Sequence, residues 1–335
     1  MRKVKIGIIG AGGICTVHLP PLKERSEEVE LVAAADVNPA AKALVDKYEI
    51  PQFFSDYRQL LPLVDAVLIN VPTHLHASMT IEALKADKHV FLEKPMTRTL
   101  DEAKEVAAAA AQSKGRLQIG FVRRFDDEWE GFRQAILAGE LGRPVTWRHV
   151  ATSCGPQIRW FTEDLQGGGP FLDGAIHNYD FGMYTFGPVQ WVFAHLRTNN
   201  PQYTAFDTGT ATVHFESGDE LMVAWTWGLP PGCVGGGCFD FLGPRGTLLP
   251  RADLPADAIK AQFTIHHGKE SRTVESPRRA LEIGYKRQMN EFVDVALGKC
   301  QPRAGVREGM ESMRVALAIL QSGKTGNKVH LSEIR

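Results

Sequence analysis

The chain has 335 residues, 44% of them hydrophobic and 23% charged, with 38 basic and 39 acidic side chains and a formal net charge of −1. That length buries a full core without disulfides or structural metal and, at roughly 100–200 residues per domain, accommodates two domains. The even charge balance excludes the basic footprint of a nucleic-acid or anionic-membrane binder, and no stretch approaches the roughly 20 apolar residues of a membrane span.

Five cysteines, at 15, 154, 233, 238 and 300, are odd in number and scattered. They read as free thiols of a reducing compartment, not as a disulfide framework. Cys233 and Cys238 flank Val-Gly-Gly-Gly, with no second pair at zinc spacing. The N-terminus lacks a secretory pattern, so a cytoplasmic protein is expected.

From Val4 to about Gly120, short apolar runs alternate with helical stretches. The runs are Val4–Ile9, Leu31–Ala35, Ala66–Val71, His89–Leu92 and Leu117–Phe121. Ala40–Tyr48, Ser78–Ala86 and Leu100–Ser113 carry apolar residues at helical spacing, and Thr99 is placed to cap the last of them. Fully apolar strands between helices predict a parallel sheet covered on both faces. After about residue 121 the texture changes. A helix is expected over Asp127–Ala138. Strands are expected at Val145–Ala151, Gln190–Leu196, Thr208–Phe215, Glu220–Trp227 and Phe239–Leu242, with a hairpin at Ser217-Gly218. Runs of strands without intervening helices imply an antiparallel sheet. Two helical patterns, near Ala280–Leu297 and Gly305–Ser322, close the chain.

Gly10-Ala11-Gly12-Gly13-Ile14-Cys15 follows the first strand and precedes a helix. Gly10 permits the tight turn, Gly12 lets a pyrophosphate approach the backbone, and Gly13 and Ile14 lead into a helix whose N–H groups and dipole favour phosphate. Cys15 replaces the third glycine of the usual pattern. Asp36 ends the second strand at the separation expected of a ribose-binding acid. Its carboxylate would repel a 2′-phosphate, and no arginine follows in Asp36-Val37-Asn38-Pro39, so NAD is favoured over NADP. The alternative is that Asp36 only caps a helix before Pro39.

Two further groups carry chemistry with alternatives still open. Glu93-Lys94-Pro95 ends the strand His89–Leu92, where ligands of parallel sheets bind. Lys94 there could polarise a hydroxyl, or belong to a solvated Glu–Lys pair. In Gly167-Gly168-Gly169-Pro170-Phe171-Leu172-Asp173-Gly174-Ala175-Ile176-His177, Asp173 and His177 are four apart and would share a helix face. His177 suits a proton acceptor and Asp173 its orienting partner; alternatively, Asp173 caps the helix and His177 is structural.

Together these segments resemble the glucose–fructose oxidoreductase/inositol dehydrogenase (Gfo/Idh/MocA) family. The resemblance is carried by Gly10–Gly13, Pro72-Thr73-His74-Leu75-His76, Glu93-Lys94-Pro95, Gly120-Phe121-Val122-Arg123-Arg124-Phe125-Asp126 and Gly167–Asp180, in that order along nearly the whole chain. It implies a Rossmann domain over residues 1–121. It also implies an α+β substrate-binding and oligomerisation domain over 122–335, built on a predominantly antiparallel open sheet, with a C-terminal helix able to return to the first domain. It implies oxidation of a sugar, polyol or inositol hydroxyl with NAD(P), of which Asp36 favours NAD. By position, Lys94, Asp173 and His177 would be catalytic, and Arg123 and the adjacent Arg124 would contact substrate. Val71, Pro72, Thr73, His76 and Glu93 would lie along the cofactor. Val122 stands where many relatives carry a polar residue. Trp160, shortly before the catalytic segment, is a further substrate candidate.

No metal is expected: His74 and His76 read as cofactor lining or caps, and His266-His267 as surface. Trp225 and Trp227 share a strand face and suit sheet packing as well as a sugar. Gly232–Cys238 is expected to be a loop. A homodimer or homotetramer through the second domain's sheet is expected, with neither a nucleic-acid nor a membrane partner. Two other activities remain: a glycoside hydrolase that uses NAD transiently, and a non-enzymatic dinucleotide sensor.

Overall fold

The computed structural model describes residues 2–250, 260–277 and 281–334. The chain divides into two units, Met1–Phe125 with Leu281–Met310, and Asp126–Ala280 with Glu311–Arg335. Among the described residues, no helix is long and apolar enough to cross a membrane.

The first unit is built on six strands: β1 (Val4–Ile9), β2 (Val29–Ala35), β3 (Gln52–Phe54), β4 (Ala66–Ile69), β5 (His89–Leu92) and β6 (Leu117–Ile119). They are all parallel, in the order β3-β2-β1-β4-β5-β6. The strand order reverses between β1 and β4, which is where ligands of such sheets bind. Its helices are α1 (Cys15–Glu24), α2 (Lys42–Lys47), α3 (His76–Lys85) and α4 (Leu100–Gln112). Thr99 caps α4, accepting from the Glu102 N–H while the Glu102 carboxylate accepts from the Thr99 N–H. Strand β3 spans only three residues, too short a run to be expected.

A helix from the end of the chain completes this unit. In α7 (Leu281–Ala296), Met289, Phe292 and Val293 are fully buried in the core formed by Ile6, Leu19, Leu68 and Phe91. Each such side chain contributes about 1.5–3 kcal/mol by leaving water. Arg25 anchors α7 from α1 through its Nη2 to Asp294, at 2.8 Å, and its Nη1 to the Asn290 carbonyl, at 2.8 Å. The expected helix start at Ala280 lies outside the described residues.

The second unit begins with α5 (Asp127–Leu137), capped by Asp126, which accepts from the N–H groups of Glu128 and Trp129. Among the described residues its sheet has nine strands. They are β7 (Thr146–Thr152), β8 (Val189–Arg197), β9 (Thr208–Phe215), β10 (Glu220–Thr226), β11 (Gly237–Gly243), β12 (Gly246–Pro250), β13 (Lys260–His267), β14 (Glu270–Pro277) and β15 (Val329–His330). Their order is β14-β13-β12-β11-β7-β10-β9-β8-β15. The sheet is antiparallel except that β7 and β10 pair in parallel. Strands β12 to β15 were not expected: β12 and β15 are short and β14 is mostly polar, although Ala261, Phe263 and Ile265 of β13 do alternate with polar residues. Cys238 belongs to β11 and not to a loop, since it pairs with Val150 of β7.

One face of this sheet carries an aromatic core. Trp147 stacks on Phe241 at 5.4 Å, and Phe132 of α5 meets Phe263 edge-on at 5.1 Å. α6 (Ile176–Phe186) adds Phe181, 4.8 Å from Trp129. Residues of α8 (Val306–Thr325) fall in both units, dividing at Met310. On the other sheet face, cross-strand pairing sets Phe193, Thr212, Met222, Arg148 and Asp240 in one row. Phe193 and Met222 are each 46% exposed there.

Candidate functional site

The glycine loop leaves β1 with Gly10 at a φ of +86°, and a Cβ there would lie 2.8 Å from the Asn70 carbonyl oxygen. Only glycine satisfies both constraints. At Gly12 and Gly13 a Cβ would meet nothing within 4 Å, so the space above the loop is open. No side chain caps α1, which begins after Ile14. The Asp36 carboxylate closes the other side. Its Oδ2 accepts from the Ala11 N–H and its Oδ1 from the Asn38 N–H, each at 2.8 Å. Asn38, not Asp36, caps the helical turn at Pro39–Ala41. Cys15 packs beneath the loop. Its Sγ donates to the Gly10 carbonyl and accepts from Asn70 Nδ2, each at 3.3 Å. Burial pushes its thiol up to about 12, so it stays protonated and inert.

After β4, three buried polar atoms have no hydrogen-bond partner among the described residues: Asn70 Oδ1, Thr73 Oγ1 and His74 Nδ1. Val71 and Pro72 are half-buried beside them. Buried polar groups are normally paired, so three such atoms along one strand end suit a polar ligand there. With the open loop, the uncapped helix and the Asp36 carboxylate, they fit a dinucleotide. His76 stands behind this edge, 1% exposed, with Nδ1 2.7 Å from the Pro95 carbonyl and Nε2 2.9 Å from the Val71 carbonyl. It bridges the ends of β4 and β5.

Lys94 follows β5, half-buried, and its peptide bond to Pro95 is cis. Glu93 holds it from behind, with Oε2 accepting from the Lys94 N–H at 3.1 Å. The other oxygen, Oε1, lies 3.2 Å from Nε2 of the fully buried His18 of α1. Burial acts to raise the Glu93 carboxyl, but His18 and the Lys94 charge and N–H outweigh it and leave it below the usual range. Tyr285 of α7 meets the His18 ring edge-on at 5.6 Å, and burial together with the Glu93 charge pushes its phenol up. Beyond β6, Arg123 is half-buried. Arg124 is buried, and its Nη1 donates to the Arg303 carbonyl at 3.0 Å, tying the turn to the segment before α8.

In the second unit the helix expected through both Asp173 and His177 is interrupted. Asp173 lies in a π-helical turn, Pro170–Gly174, and His177 in the first turn of α6. The turn closes through the Ala175 N–H to the Pro170 carbonyl at 2.8 Å. Four-residue spacing does not distinguish the two helix types, and π turns are frequent at functional sites. Asp173 is 4% exposed and His177 is half-buried. Packing holds the turn in place. At Gly169, with a φ of +75°, a Cβ would lie 2.5 Å from the Phe206 carbonyl oxygen. At Gly174 it would meet Cζ2 of both Trp225 and Trp227 at 3.1 Å. These glycines therefore approach the chain's own backbone and indoles. Trp160 stacks on Phe161 at 3.7 Å.

Three residues joined these groups only in the structure. Val37, next to Asp36, is 88% exposed and offers an apolar surface. Its signal was a lone apolar side chain in a polar turn. Asn70 and His18 had no signal, because their partners are distant in sequence.

A family model described as an oxidoreductase family with an NAD-binding Rossmann fold matches residues 4–121, and one for the GFO/IDH/MocA C-terminal domain matches residues 129–249. The scyllo-inositol 2-dehydrogenase (NAD(+)) of Bacillus subtilis (strain 168) is 31% identical over 65% of this chain and 65% of its own length. The D-glucoside 3-dehydrogenase of Escherichia coli (strain K12) is 29% identical over 98% of this chain and 97% of its own. The structure of a levoglucosan dehydrogenase, in complex with NADH and levoglucosan, shares the fold with a TM-score of 0.84 at 20% identity, covering 98% of this chain and 100% of that one. The chain belongs to the Gfo/Idh/MocA family of oxidoreductases, and its residues 4–121 form that family's NAD-binding Rossmann fold.

Proposed function

We propose that this protein oxidises a ring hydroxyl of a sugar, polyol or inositol, using NAD. The observation that carries the reading is Lys94, at the carboxyl end of β5 in an NAD-binding domain, with its backbone N–H held by a buried carboxylate whose pKa is depressed. Relatives named as inositol and glucoside dehydrogenases support the choice of a ring hydroxyl.

When bound, NAD supplies the hydride acceptor. Gly10, Gly12, Gly13 and Ile14 receive its pyrophosphate, Asp36 its adenosine ribose and Val37 the adenine face. Val71, Pro72 and Thr73 line the remainder, with His76 and Glu93 behind them. His177 accepts the hydroxyl proton. Asp173 orients the imidazole and stabilises its charged form. Lys94 hydrogen-bonds the same oxygen and lowers the cost of its ionisation. Arg123 and Trp160 contact the rest of the substrate, whereas Arg124 serves as a structural tie.

The test is purified protein with NAD against a panel of polyols, aldoses and inositols. Stoichiometric NADH is expected; its absence across the panel overturns the reading. Release of an aglycone without NADH would move it to a hydrolase.

We also propose a cytoplasmic homodimer or homotetramer formed through the open sheet face of the second unit, whose row includes Phe193 and Met222. Light scattering should show the oligomer, and Phe193→Asp with Met222→Asp should dissociate it. A wild-type monomer at high concentration overturns this.

A further inference from the structure

The second unit contains a cavity of about 490 Å³ over β7, β10 and β11. Neither Asp173 nor His177 lines it, but Trp225 and Trp227 do. These are the two indoles whose Cζ2 atoms limit Gly174, the residue next to Asp173. The cavity and the π turn therefore share a wall.

The lining is specific in its chemistry. Trp225 stacks on His149, with ring centroids 5.4 Å apart and planes at 28°, which makes a flat aromatic panel. Glu128 and His149 are each only 8% exposed, and Thr152 adds a hydroxyl. A pyranose presents an apolar C–H face and a rim of hydroxyls. An indole takes the first, and a carboxylate, an imidazole and a hydroxyl take the second. The cavity volume falls in the range of small-molecule sites, which is about 300–1,000 Å³.

We propose that this cavity is a glycosyl subsite, so that the substrate is a two-ring glycoside: one ring is oxidised at Asp173 and His177, and a second sugar ring rests on Trp225 with its hydroxyls on Glu128. The two-ring size rests on the proposed role of Asp173 and His177. A ring bound where neither residue reaches must be joined to another that does meet them.

The test compares NADH formation from cellobiose, maltose and trehalose with that from glucose and myo-inositol, alongside calorimetric titration of the same sugars. At least one disaccharide should exceed glucose in kcat/KM by about fivefold or more, a ratio that modest ring stacking supports. Glu128→Gln and Trp225→Phe should lower that ratio through KM, and Glu128→Gln, which is isosteric, guards against a folding defect. Glucose or inositol used as well as every disaccharide overturns the proposal, as does a ratio that neither variant moves. If no sugar yields NADH, the oxidation reading falls and calorimetry decides the subsite. Disaccharide binding weakened by Glu128→Gln supports it; no disaccharide binding overturns it.

Discussion

Along the carboxyl edge of the first unit's sheet, each candidate stands where a strand stops: Gly10 after β1, Asp36 after β2, Asn70 after β4, Lys94 after β5 and Arg123 after β6. In the second unit, Asp173 and His177 stand where a π turn meets α6, held by contacts with Phe206, Trp225 and Trp227. The first arrangement is delivered by the backbone of a parallel sheet, whose strand ends are aligned by their own hydrogen bonds. The second is delivered by side-chain packing from residues far along the chain. Substitutions of side chains that face the open strand ends, such as Lys94, should therefore cost function more than stability. Those supporting the second should cost stability first.

The largest effect tests whether the two regions serve one reaction. Lys94→Met and His177→Asn should each lower kcat by about 10²–10⁴-fold, the usual contribution of acid–base groups. An intact kcat in either variant would separate that region from the chemistry.

A sharper contrast comes from two glycines. Gly169→Ala forces a Cβ against the Phe206 carbonyl at positive φ and should cost about 2–4 kcal/mol of stability. Gly12→Ala meets open space and should change stability by less than about 0.5 kcal/mol, while raising the KM for NAD. Denaturant melts and initial rates on both variants would show the comparison to be wrong if the two patterns were exchanged.

A smaller effect concerns acid. Because the Glu93 carboxyl is depressed, the folded state binds its proton less readily than the unfolded chain. Its stabilising contribution is therefore complete above the ordinary carboxylate range and is lost as pH falls from that range through the depressed folded-state value. Glu93→Gln should flatten the acid-side fall in Tm. A slope equal to wild type would mean that the pairs with His18 and Lys94 contribute nothing.

The smallest is a labelling order. Cys15, buried with its thiol near 12, should resist alkylation in the native state, while the exposed Cys233 and Cys238 react first. Peptide mass spectrometry at timed quenches reads the order; early labelling of Cys15 would show that the glycine loop opens readily.

Much of the first region was legible because its signals are local. A glycine loop between a strand and a helix, an acid at the end of the next strand and a Thr99 cap each involve residues close in sequence. The π turn was not legible, since Asp173 and His177 at four-residue spacing suit an unbroken helix equally well. Nor was the parallel pairing of β7 with β10. Strand pattern reports which face is buried and not which neighbour is chosen. Strands β12, β14 and β15 escaped because they are short or mostly polar, whereas β13 carries a regular alternation at Ala261, Phe263 and Ile265.

By itself the sequence determined the main strands and helices of the first unit, its parallel sheet with the glycine loop, and the residues able to do chemistry, because strand burial and tight turns constrain neighbours along the chain. Only the tertiary structure decided what stands behind Lys94, which helix completes the first core and what holds the turn bearing Asp173. Those depend on Glu93 meeting His18, on Phe292 meeting Phe91 and on Gly174 meeting two indoles. Such contacts join residues distant in sequence, and no local pattern encodes them.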